Sequence, residues 1–108
     1  MNWPKELIIK RDETNTKVAN INQIISFINR CYDEDILAAY LSQLKTQTKL
    51  DMSEVSSIID ATEYRINKIN IFLTEYENNK DDEEMLANFY EKNYKFIEGM
   101  IEYYIKGE

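Results

Sequence analysis

Apolar residues recur at helical spacing along most of this chain. The first stripe steps by four and three residues, the spacing at which one helix packs against another, and it comprises Leu7, Arg11, Thr14, Val18, Ile21, Ile25, Ile28 and Tyr32. Its second half is reinforced by Ile24, Phe27 and Cys31. We therefore predict a long first helix, with residues 18–32 in the core and residues 5–17 as a more polar extension.

Start signals divide the rest of the chain into three more helices. The carboxylates of residues 33–35 favour the start of a short second helix over residues 34–46. Asp51 and Glu54, with Leu50 and Val55 around them, form a capping box with a hydrophobic staple. They predict a long third helix that ends in the polar stretch of residues 77–81. Asp81 or Asp82 begins a fourth helix over residues 82–106.

These elements predict an all-α fold, an antiparallel bundle of four helices, three long and one short. The chain has 108 residues, two Gly and one Pro, which suits one domain of long helices over residues 1–108. The short second helix covers about half the length of its neighbours at 1.5 Å per residue. Part of each long helix is therefore left uncovered by the second helix, and we predict that a second copy of the chain covers it in a dimer.

The fourth helix has an apolar arc of roughly 200°, wider than the 100° or so that one packed face needs. Its centre is formed by Leu86, Tyr90, Ile97, Ile101 and Tyr104, and its flank by Met85, Phe89, Phe96, Met100 and Tyr103. Gly99 falls among the charged positions. The flank is core if the helix touches two neighbours. It is a dimer or partner interface if it stays open, because aromatic and Met residues are enriched in interface cores, and we predict it as the candidate interface.

Two smaller features are candidate contact sites. Tyr64 and Ile71 project away from the core stripe of the third helix, near Lys68, although scattered exposed apolar residues are common. Arg11 and Arg65 lie on or beside apolar stripes, where an arginine usually buries its stem and keeps its head group in water. The alternative is that the two guanidinium groups hold an anion such as a nucleotide.

Charge narrows the choice of partner. The net charge is −7, from 13 basic and 20 acidic residues, which disfavours direct contact with nucleic acid and favours a protein with a basic surface. The acidic clusters of residues 33–35 and 81–84 are explained as helix caps, with a basic partner as the alternative; a calcium site would need a loop spacing that neither has. No apolar run approaches the roughly 18 residues that cross a membrane. One cysteine and no signal-peptide pattern predict a cytoplasmic protein.

Catalytic chemistry has little support in the residue types. The chain has no His, so Ser–His and Cys–His pairs and the Glu-x-x-His pattern of helical bundles cannot form. Cys31 continues an apolar face and is interpreted as a core thiol. We expect a protein that is not an enzyme and needs no metal or cofactor.

The short, acidic, Asn- and Ile-rich helical chain, with Lys5-Glu6-Leu7 followed by Ile21, Ile25, Phe27 and Ile28, resembles small accessory proteins of bacteriophages and mobile elements. The resemblance implies inhibition of a host protein by stoichiometric binding, as anti-CRISPR proteins do. A second resemblance is to bacteriocin immunity proteins, intracellular four-helix bundles that tend to be basic where this chain is acidic. Sequestration of a small ligand such as a nucleotide is the remaining alternative.

Overall fold

The computed structural model describes residues 4–14, 18, 20–46 and 52–106 of the chain. Its regular elements are helical, which confirms the all-α prediction. They are a 3₁₀ turn, Lys5–Leu7, followed by α1 (Ile21–Arg30), α2 (Glu34–Thr46), α3 (Met52–Asn79), α4 (Glu83–Lys92) and α5 (Tyr94–Lys106). The described residues thus form five α-helices where the pattern predicts four.

The long helix α3 is the element on which the others are assembled. Its 28 residues span about 42 Å at 1.5 Å per residue, within a molecule whose extents are 58 × 25 × 23 Å. Helices α1 and α2 pack on its first half, and their contact encloses a core of Leu7, Ile24, Ile28, Cys31, Leu37, Tyr40, Leu44, Val55, Ile58, Ile59 and Ile69. Helix α4 packs on its second half. The burial of Cys31 confirms the core thiol.

The polar extension of the first helix, residues 5–17, is not α-helical where the structure describes it: beyond the 3₁₀ turn at Lys5–Leu7, residues 8–14 are non-helical, so this part of the prediction is wrong. Asp12 Oδ1 accepts hydrogen bonds from the Thr14 backbone N–H at 3.0 Å and from the Thr14 hydroxyl at 2.7 Å. Such local side-chain bonds compete with helical ones. The Val18 N–H donates to the Lys10 carbonyl at 3.1 Å, so Val18 lies beside Lys10. The buried side chain of Leu7 packs the N-terminal segment against α1.

The predicted fourth helix is interrupted at Asn93. The backbone N–H and the side-chain amide of Asn93 both donate to the Phe89 carbonyl at 3.0 Å, and the residue has φ −107° and ψ 20°. This arrangement ends α4 as a cap would, and α5 starts at the next residue. The apolar pattern runs through Asn93 without a change of period, so it contains no sign of the break.

Two of the acidic side chains that were predicted to start helices, those of Asp82 and Asp33, cap α4 and α2. Asp82 Oδ1 accepts from the N–H groups of Glu84 and Met85, each at 3.0 Å. Asp33 Oδ1 accepts from those of Asp35 at 3.0 Å and Ile36 at 3.3 Å. Helix α2 has the predicted bounds. The capping box of α3 rests on residues 50 and 51 and the Glu54 side chain, which lie outside the described part.

Candidate functional site

The connection between α1 and α2 is held by Arg65 of α3. Arg65 Nε donates to the Cys31 carbonyl at 2.9 Å, and the guanidinium carbon lies 4.4 Å from the centroid of the Tyr32 ring and 5.3 Å from that of Phe96. Arg65 is 4% exposed, so its head group is enclosed by protein where the sequence suggested a wetted one. These are cation–π distances. Arg65 joins α3, this connection and α5.

Tyr32, in the α1–α2 connection, packs against α5. Its ring centroid lies 5.0 Å from that of Phe96 and 5.7 Å from that of Tyr103. A Cβ at Gly99 would collide with the Tyr32 hydroxyl, so Gly99 packs closely against Tyr32, although the sequence places it among the charged positions. The Tyr104 hydroxyl donates to the Tyr32 carbonyl at 3.1 Å.

The flank of the predicted interface packs largely within the chain. The ring centroid of Phe89, a residue that is 4% exposed, lies 5.2 Å from that of Phe72 and 6.1 Å from that of Tyr76. Phe96 lies 4.6 Å from Phe72 by the same measure. Tyr103 contacts Tyr32, and burial, followed by a hydrogen bond with the Cys31 thiol, raises the pKa of Tyr103. For these three aromatic residues the geometry favours the core interpretation.

The other two members of the flank are placed differently. Met85 is 47% exposed, and Met100 is half-buried at the edge of a groove described below. A partner could reach these two methionines without unfolding the chain. Of the aromatic members, Phe89 is buried, whereas Phe96 and Tyr103 are half-buried and each lines a surface groove.

The centre of the same arc is the part that stays open. Tyr94 is 56% exposed, Ile101 51%, Tyr104 55% and the neighbouring Ile105 71%; Ile97 is half-buried. We call Tyr94, Ile97, Ile101 and Tyr104 the α5 stripe. Sequence reasoning placed the centre of the arc in the core, and the stripe's last three residues belong to it. Sequence reasoning recognised the excess width of the arc but assigned the open part to the flank, and the wheel alone holds no signal that distinguishes the two halves.

Beside the α5 stripe lies a groove of about 400 Å³ between α3, α5 and the α1–α2 connection. Its apolar wall includes Ile69, Leu73 and Met100, and its rim carries three consecutive carboxylates, those of Asp33, Glu34 and Asp35. We call it the acidic groove. Tyr104 borders it, and burial, followed by the negative charge of Asp33, raises the pKa of Tyr104. An apolar surface with a negative border is therefore continuous with the stripe.

The secondary patch is exposed as predicted. Tyr64 is 69% and Ile71 52% exposed, whereas the Lys68 ammonium lies 5.9 Å from the centroid of the Phe96 ring. Lys68 is therefore turned towards α5.

The predicted pair of arginines does not line the basic cleft of the structure. Arg11 is half-buried in the N-terminal segment, and Arg65 is enclosed as described above. A cleft of about 650 Å³ is lined by neither of them and instead carries Lys5, Lys10 and Arg30, with one carboxylate, Glu6. Its positive charge contrasts with the acidic groove.

No protein-family model, curated protein or solved structure matches the chain. Among the described residues no helix combines the length and apolarity needed to cross a membrane. The same residues contain no group of three or more potential metal ligands.

Proposed function

We propose that this chain is a non-enzymatic protein-binding module that acts in the cytoplasm and blocks a host protein by stoichiometric binding, in the manner of small phage or mobile-element proteins. The observation that supports binding is the exposed α5 stripe. Its four residues lie on one helical face, and three of them are more than half exposed. Contiguous exposed apolar surface is typical of interaction sites.

The composition of the surface also fits a protein partner. Tyrosines occupy both ends of the stripe, and Tyr and Met are among the residue types enriched in interface cores. Tyr104 is held in place by its hydrogen bond to the Tyr32 carbonyl, so less side-chain freedom is lost when a partner binds. The dimer expected from the sequence would instead use the flank of the arc, where Met85 is the most exposed member.

A photo-crosslinking experiment tests the proposal in cells that express the full chain. A photoreactive phenylalanine analogue replaces Tyr94 in the stripe or, as the control, Tyr64 in the secondary patch. We expect one discrete adduct from position 94 and none from position 64. The adduct should disappear with Ile101→Asp and persist with Ile71→Asp.

The two aspartate substitutions are matched. Ile101 and Ile71 are 51% and 52% exposed, both lie within helices, and each variant adds one negative charge. An adduct from position 94 that survives Ile101→Asp, or one that only Ile71→Asp removes, would overturn the assignment of the binding face.

Sequestration of a small anion is supported by the basic cleft of Lys5, Lys10 and Arg30. Its excess of cations over carboxylates is unusual in a chain with a net charge of −7. If the chain sequesters nucleotides, ATP should raise its melting temperature, and Lys10→Glu should abolish the increase. An unchanged melting temperature would exclude ATP as the sequestered anion.

A further inference from the structure

The spacing of the α5 stripe specifies the shape of its partner. Tyr94, Ile97, Ile101 and Tyr104 follow one another by three, four and three residues, and Tyr90 of α4, 46% exposed, lies four residues before them. A stripe with this alternation is the seam along which a second helix packs. In this fold three of the four seam residues stay more than half exposed, because the rings of α5 that pack on the rest of the chain are mainly those of Phe96 and Tyr103.

The charges beside the seam specify the chemistry of the partner. On one side of α5 lie the exposed residues Glu98 and Glu102, at about 60° and 100° from Ile101 on a helical wheel; Lys95 lies farther round. On the other side the seam meets the acidic groove, with its three rim carboxylates. Carboxylates therefore lie along both edges of the apolar seam, with the exposed Lys95 about 20° beyond Glu102 on the α5 side.

We infer that the α5 stripe and the acidic groove together bind a basic amphipathic helix of a partner protein. The apolar face of that helix lies on Tyr94, Ile97, Ile101 and Tyr104, and its Lys and Arg residues face the two acidic edges. This inference rests on the proposed function and names the element of the partner that is bound. In helix-in-groove recognition the bound helix likewise presents apolar anchors that recur every three or four residues.

The same charges disfavour a second copy of the chain as the occupant. In an antiparallel pairing each acidic edge faces its own copy, and in a parallel pairing one acidic edge faces the other. Each copy also has a net charge of −7. Like charges across an interface oppose association, whereas lysines and arginines at the edges of the partner helix would remove the repulsion.

Defined peptides test the inference on the full chain. The first probe is a fluorescein-labelled amphipathic peptide of about 18 residues, long enough to cover α5, with Leu at the seam positions and Lys beside them. The second probe has Glu in place of every Lys. Fluorescence anisotropy should show saturable binding of the Lys peptide, weaker binding at higher salt, and no binding of the Glu peptide.

The matched variants separate docking from charge attraction. Ile101→Asp and Ile71→Asp change the net charge equally, so non-specific attraction of a basic peptide would be the same for both. We expect Ile101→Asp to weaken binding at least about tenfold, as for an interface anchor, and Ile71→Asp to leave it unchanged. Glu34→Gln with Glu98→Gln should weaken binding and reduce its salt dependence. Asp33 is kept because it caps α2.

Three outcomes would overturn the inference. They are equal binding of the Lys and Glu peptides, equal effects of the two aspartate variants, and a dimer in analytical ultracentrifugation that Ile101→Asp dissociates. An adduct from position 94 that only Ile101→Asp removes, without binding of the Lys peptide, would retain the proposed function and reject the basic helix. Binding of the Lys peptide without an adduct from position 94 would reject a protein partner in those cells and retain the basic helix as what the surface binds.

Discussion

Substitution of Gly99 by Ala tests the packing that joins α5 to the α1–α2 connection. At an exposed helical position this change stabilises a protein by about 1 kcal/mol, because Ala is the better helix former. In this chain the added methyl group would collide with the Tyr32 hydroxyl oxygen and lie 3.3 Å from the ring carbon that carries it. The gain in helix propensity is therefore opposed by a steric conflict.

The conflict is not easily relieved, because the Tyr32 ring is held on several sides. The Arg65 guanidinium carbon lies 4.4 Å from its centroid, and Phe96 and Tyr103 lie at 5.0 and 5.7 Å. Overpacking of a well-packed site costs about 1–3 kcal/mol. After the propensity gain, we expect Gly99→Ala to lower the free energy of unfolding by about 0–2 kcal/mol.

A double-mutant cycle measured by urea denaturation separates the two effects. Tyr32→Phe removes the colliding oxygen, so Gly99→Ala should recover most of its propensity gain in that background. The coupling between the two substitutions should be about 1–3 kcal/mol. Tyr94→Phe, which removes an exposed hydroxyl from the same helix, is the control and should show no coupling. If Gly99→Ala alone stabilises the chain by about 1 kcal/mol, Tyr32 does not pack on α5 as described.

Three further substitutions test other parts of the fold. Arg65→Met should lower the free energy of unfolding by about 1–3 kcal/mol, because it leaves the Cys31 carbonyl without its donor; an unchanged urea midpoint would contradict the role given to Arg65. Asp82→Ala should cost about 0.5–2 kcal/mol through loss of the α4 cap, and Asp81→Ala, measured in the same way, should cost less. Burial raises the pKa of Tyr40 to about 12 from its ordinary value of about 10, so the unfolded state loses this proton first and stability falls between pH 10 and 12. Tyr40→Phe should show a shallower fall in melting temperature over that range, and identical slopes would contradict the assignment.

The sequence by itself determined the helical class and most of the helix bounds. Asp33 and Asp82 could be identified as caps because a cap acts within one turn of its own helix, and the bonds to the following N–H groups are those expected. The end of the 28-residue helix α3 could also be predicted from local pattern, because its apolar face persists until the polar stretch of residues 77–81. Information of this kind is local, and local pattern therefore predicts it well.

Two departures from the predicted helices were not foreseen: the chain is non-helical over residues 8–14, and α4 ends before Asn93. Asp12 turns its segment through bonds to Thr14, and Asn93 ends α4 through bonds to the Phe89 carbonyl. The propensity differences involved are below about 1 kcal/mol per residue. Packing overrides differences of that size in either direction, so the apolar period alone does not locate the breaks.

The open side of α4 and α5 was decided by tertiary structure alone. A helical wheel shows that the apolar arc is too wide for one neighbour, but its two halves are equally apolar. Phe72 of α3 and Tyr32 of the α1–α2 connection, distant in sequence, supply the rings that cover Phe89, Phe96 and Tyr103. Which half meets them depends on where α3 and that connection lie in space. The α5 stripe is exposed because the same rings cannot also reach the other side of the helix.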